Sequence, residues 1–141
     1  MKNVLTLTLA ATLIATLTGC ASSQTATSST AKGTKTYKVA VVKQLDHASL
    51  DEIAKAICDE FDAISEKEGV KIEYGDVYSG QNDQTVLQQI ASQVTSEGVD
   101  AIVPVATLAA QTMTVASDGT VPVVFAAISD PEAADLTGID Y

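Results

Sequence analysis

Beyond residue 36 the apolar positions switch repeatedly between two spacings. Tyr37-Lys-Val-Ala-Val-Val-Lys-Gln44 is short and β-branched, the composition of a buried strand. Leu50, Ile53, Ala54, Ile57, Phe61 and Ile64 then recur at helical spacing, with charge on the opposite face. Ser49, with Glu52 three residues later, predicts a capping box at the start of this helix, and Gly69 a left-handed stop at its end. The same alternation follows twice more. Val70–Tyr78 reads as a second strand, and Asn82 or Asp83 caps a helix that buries Val86, Leu87, Ile90, Ala91 and Val94 before Gly98 ends it. Val99–Val105 is the third strand, Thr107 caps a third helix that Gly119 ends, and Val121–Ile128 is the fourth strand.

Strand and helix in strict alternation predict an α/β fold: a Rossmann-like parallel sheet with helices on both faces. Near-continuous apolar strands agree, because both faces of such a sheet are buried. The expected strand order is 2-1-3-4, which puts the topological switch point between the first and third strands. Ligands then enter at the C-terminal strand ends. The functional segments expected from this are Gln44–Ala48, Ala106–Ala109 and Ile128–Pro131, with Ser79–Asp83 nearby.

The N-terminus follows a different pattern. Lys2 precedes an apolar run from Val4 to Leu17, and Leu17-Thr-Gly-Cys20 closes it. The run is short and threonine-rich for a spanning helix, which needs roughly 20 apolar residues. A basic start, a short apolar core and small residues describe a secretory signal. Leu-x-Gly-Cys resembles the lipobox of bacterial lipoproteins, which implies cleavage before Cys20 and a lipid on its thiol. The alternative is an ordinary secretion signal or anchor with an incidental cysteine. Residues 1–19 are thus expected to be a signal peptide. Residues 20–36, with no large apolar side chain before the domain, are expected to be a flexible tether reaching about 20–25 Å. Residues 37–141 then make one small domain. The implied place is the outer, extracytoplasmic face of the cell membrane, held by lipid.

The chain has 18 acidic side chains against eight basic ones, all lysine, for a net charge of −10. Nucleic acid is not an expected partner, since phosphate contacts need clustered Lys and Arg. With Cys20 acylated, Cys58 has no partner for a disulfide and reads as a small half-buried apolar side chain, the alternative being a reactive thiol. A single histidine, His47, precludes a two-histidine metal site, so no metal is expected. No glycine-rich phosphate loop and no Gly-x-Ser-x-Gly elbow occurs. These absences point to a binding protein with no cofactor, and not to an enzyme.

Short polar loops remain. Asp46 offers a carboxylate to a ligand ammonium and Gln44 a neutral hydrogen-bonding group, although Asp46 and His47 also fit ordinary loop polarity. The amides after Ala106, with the Thr107 hydroxyl, suit an anion such as a carboxylate, or Thr107 only caps its helix. Gln81 and Asn82 open the second helix as a routine loop or as a contact. Ser129-Asp130-Pro131 is a turn at a strand's C-terminal end, with or without a ligand.

The ordered pieces Lys38-Val-Ala-Val-Val, Asp46-His-Ala-Ser-Leu-Asp51, Asp83-Gln-Thr-Val-Leu87, Val99–Gln111 and Val121–Pro131 resemble the solute-binding lipoproteins of ABC transporters, of the tryptophan/tyrosine or aromatic amino acid type. The resemblance implies two Rossmann-like lobes of a type I periplasmic-binding-protein-like fold closing over a solute, with an ABC permease as partner. By analogy the cleft residues are Gln44, Asp46, His47, Gln81, Asn82, Thr107, Ser129 and Asp130. Ala48 stands where the family commonly has proline. Family members run to about twice this size, so the chain reads as an N-terminal lobe without its second lobe, from an incomplete gene or early stop. The fourth strand would then be an open sheet edge. A tethered sensor is a competing function, and an enzyme on a flavodoxin-like scaffold a more distant one.

Overall fold

The first predicted strand is the axis of a parallel sheet. In the computed structural model, which describes residues 34–136, this strand is β1 (Thr36–Lys43). The expected signal peptide, Cys20 and most of the expected tether lie outside the described residues. Lys35 places its ammonium over the Tyr37 ring, 4.5 Å from the centroid. After β1 come α1 (Ala48–Glu68), β2 (Lys71–Glu73), β3 (Tyr78–Ser79), α2 (Gln84–Ser96), β4 (Ala101–Val105) and α3 (Thr107–Ser117).

Main-chain hydrogen bonding fixes the order. Lys35 and Lys43 accept through their carbonyls from Lys71 and Gly80, so odd positions of the β1 chain face β2 and β3. Lys38 accepts from Asp100 and Gln44 donates to Val105, so even positions face β4. β2 and β3 are therefore two pieces of the predicted second strand, lying along one edge of β1. Between them Gly75 takes φ 56° and Tyr74 packs its ring on Phe61, with centroids 5.7 Å apart. The chain leaves the ladder there, so the continuous strand expected over Val70–Tyr78 does not form. The expected order 2-1-3-4 holds.

Side chains alternate across the sheet. Ala40, Val42 and Ile102 meet Leu87, Ile90 and Val94 of α2 and Met113 of α3 on one face. Val41, Val103 and Val105 meet Leu50, Ile53, Ala54, Ile57 and Phe61 of α1 on the other. Adjacent Val41 and Val42 are both fully buried on opposite faces, which is why β1 carries an unbroken apolar run. Among the described residues no helix is long and apolar enough to cross a membrane.

Local signals mark most helix ends. Gly69 takes φ 64° after α1, and the Asp83 carboxylate accepts from the amides of Thr85 and Val86 at the start of α2. Two caps differ from expectation. Helix α1 begins two residues earlier than a Ser49 cap requires; His47 is its N-cap, and Nδ1 accepts from the Ser49 amide at 3.3 Å. Thr107 lies inside α3, whose N-cap is Ala106 with no side-chain hydrogen bond of its own.

The predicted fourth strand is reduced to two bridges, Ile102↔Val123 and Val105↔Ala126. Ile102 donates to Pro122 and accepts from Val124, while Pro104 accepts from Ala126 and Ala106 donates to Ala126. The missing rung is the one in which residue 104 would donate to Val124. Pro104 has no N–H, so the ladder breaks in the middle.

Even positions of this segment face β4, which leaves the amides of Val123 and Phe125 pointing away from it. Residue-resolved hydrogen exchange is expected to show slow Val124 and Ala126 amides alternating with fast Val123 and Phe125 amides. Uniform rates across the four would refute this pairing.

Candidate ligand-binding edge

The parallel strands end together, and four of the expected site residues converge there. Gln44 follows β1. Its Oε1 accepts from the Leu108 amide at 3.0 Å, and its Nε2 donates to Asn82 Oδ1 at 2.9 Å. Its carbonyl also accepts from the Asn82 amide at 2.9 Å. The second amide of α3, left without an intrahelical partner by helix geometry, is thus capped by a side chain 64 residues away. Thr107 joins the edge only as the neighbour of this cap.

The loop after β3 makes a tight approach. Gln81 and Asn82 both have positive φ, 52° and 56°. A Cβ at Gly80 would lie 2.3 Å from Leu87 Cδ2 and 2.9 Å from the Gln44 carbonyl, so only glycine fits. Gln81 Nε2 then reaches Asp46 Oδ2 at 2.7 Å and Ser79 Oγ at 2.9 Å. Ala106 has φ 77° and ψ 161°, a conformation proper to glycine, and a strain of roughly 1–3 kcal/mol accompanies it.

Charge at this edge is organised by Lys43, which the sequence analysis did not select. Its ammonium lies 2.8 Å from Asp46 Oδ1 and also pairs with Asp51 in the first turn of α1. A lone cation closing an apolar strand, with acids three and eight residues on, was the available signal. Hydrogen bonds from Lys43, then Gln81 and Ser79, hold the exposed Asp46 carboxyl down from 3.8 to about 2. The Lys43 ammonium is raised above its ordinary value, chiefly by its hydrogen bonds to Asp46 and Asp51.

The remaining expected residues stand apart from this network. His47 is exposed and its Nδ1 caps α1. Asp130 closes its own turn, accepting from the Ala133 amide at 3.0 Å. Ser129 and Asp130 follow Ala126, which bonds Ala106, so they leave the sheet at the same edge. Among the described residues neither hydrogen-bonds to the Gln44–Asn82 cluster. A hollow of about 580 Å³ lies elsewhere, between α2 and α3 beside Gln88, Leu108 and Val115. The mouth is an open edge of polar loops, as one wall of a cleft would be.

Comparison with known proteins agrees with this shape. The family profile for ABC transporter substrate binding proteins matches residues 38–139. No curated protein sequence matches the chain. A solved ABC domain in complex with L-Trp from Streptococcus pneumonia is 33% identical with a TM-score of 0.62, over 72% of this chain and 34% of that one. A conserved domain protein from Vibrio cholerae is 34% identical with a TM-score of 0.64, over the same shares. A ligand-free, open substrate binding protein with adhesive properties from Clostridium difficile is 29% identical with a TM-score of 0.57, over 73% and 34%. The chain spans about a third of the length of these structures.

Two predictions follow from the network. Gln44→Ala removes the α3 cap and the tie to Asn82, and is expected to destabilise the domain by about 1–3 kcal/mol in urea unfolding, with faster exchange at the Leu108 amide. Asp46 has a lowered folded pKa, so its stabilising effect is complete above pH 3.8 and fades as pH falls toward 2. Asp46→Asn is therefore expected to flatten that part of the stability profile, and an unchanged slope between those values would refute the pairing.

Proposed function

The chain belongs to the ABC transporter substrate-binding protein family, and we propose that its C-terminal strand edge forms one wall of a solute-binding cleft. The match over residues 38–139, which takes in every element that builds this edge, is the observation that carries the reading. The wall offers side-chain amides from Gln44, Gln81 and Asn82, the start of α3, and the Ser129–Asp130 turn; its work is reversible binding without covalent chemistry. A second lobe closing on it buries the solute, and the closed form is delivered to an ABC permease.

The solute class we propose is a small amino acid, aromatic in kind. The pneumococcal relative with L-Trp supports this, as do the short polar loops, which suit a zwitterion. A solute carboxylate is proposed to lie at the start of α3, where the helix dipole favours an anion, beside the Leu108 amide that Gln44 already caps. Leu17-Thr-Gly-Cys20 supports a lipid anchor on Cys20, with the domain working outside the cytoplasm.

One wall alone buries half of a ligand's surface, so this chain is expected to bind L-tryptophan only at millimolar concentration. Titration followed by NMR should move the signals of Gln44, Gln81, Asn82 and Thr107 together. Shifts confined to other faces, or none, would refute the reading, and micromolar affinity would refute the half-cleft.

A further inference from the structure

Lys43 differs from the other paired lysines among the described residues. Lys55, Lys67 and Lys71 hold their ion pairs in the open, with side chains 73%, 81% and 62% exposed. The Lys43 side chain is only 14% exposed, and its ammonium pairs with two carboxylates. Those carboxylates come from different elements. Asp46 belongs to the loop after β1 and Asp51 to the first turn of α1, and they are 57% and 49% exposed. The acids face solvent at the mouth while the cation lies behind them.

We propose that Lys43 determines the specificity of this edge, by occupying the Asp46 and Asp51 carboxylates so that the mouth presents no free anion to a solute cation. The inference rests on the solute-binding reading of the same edge. A solute ammonium arriving at Asp46 meets an oxygen pair already bonded to Lys43 through Oδ1 and to Gln81 through Oδ2. Lys43 also reduces the negative charge of the site without cancelling it. One lysine against two aspartates leaves the trio at −1, and a neutral residue at 43 would leave it at −2. The native edge therefore selects through amides and helix-start N–H groups, which favour a carboxylate or a neutral polar group over a bare cation. Lys43 acts on the solute through Asp46 and Gln81, which makes it a positioning residue for both.

Two probes separate this from a merely structural ion pair. L-tryptophan carries ammonium and carboxylate, and tryptamine keeps the indole and ammonium but lacks the carboxylate. NMR titration of the chain with each is expected to show Lys43→Met binding tryptamine at least tenfold tighter than wild type. Lys43→Arg should keep the wild-type preference. Adding Asp46→Asn to Lys43→Met should abolish the gain. Lys43→Gln, which keeps a donor without the charge, serves if the methionine variant does not fold. A folded Lys43→Met or Lys43→Gln chain that binds tryptamine no tighter than wild type overturns the proposal. The wild-type L-tryptophan titration reports separately on the solute-binding reading. If it shows nothing at this edge, that reading fails while the tryptamine comparison still decides the role of Lys43.

Discussion

Gln44 makes four hydrogen bonds, which tie the end of β1 to β4, to the loop after β3 and to the start of α3. Its amide continues the β1–β4 ladder into Val105, and its carbonyl receives the Asn82 amide. Its side chain caps α3 at Leu108 and holds Asn82 Oδ1. One residue thus sets the spacing of three chain segments that are remote in sequence. It is half-buried, so these bonds form in partial shelter from competing water. The strained Ala106 precedes the helix start that this side chain caps, and the close approach at Gly80 is to the Gln44 carbonyl.

How far the sequence revealed this depended on the range of each interaction. Alternating apolar periods announced the three helices and the parallel sheet, because burial on both faces of β1 leaves no polar position in its middle. Gly69, Gly98 and Gly119 take positive φ, and Asp83 caps α2, since such signals act within a few residues. The cap of α3 differs for the opposite reason. Thr107 has the residue type of a cap, but the distant Gln44 supplies it, whereas the cap of α1 only moves locally from Ser49 to His47. Nothing local to Thr107 encodes that.

The sheet shows the same division. Composition marks Val121–Ile128 as a strand, and its residues do lie beside β4. A proline in the neighbouring strand decides whether a full ladder forms, and that fact becomes readable only once the pairing register is known. Of the expected site residues, Gln44, Asp46, Gln81 and Asn82 form one bonded cluster. Lys43 carries no local signal because strand-end lysines are ordinarily solvated, and its partners Asp46 and Asp51 lie three and eight residues further on.

The gap opposite Pro104 has a mechanical consequence. Residues 122–126 are held to β4 by two pairs of main-chain bonds with an empty rung between them. Tension applied through the chain beyond Ala126 would load the Ala126 pair first, then cross a stretch with no resistance before reaching the Ile102 pair. The last segment is therefore able to yield in two small steps, while β1 and β4, cross-linked along their whole overlap, keep their shape.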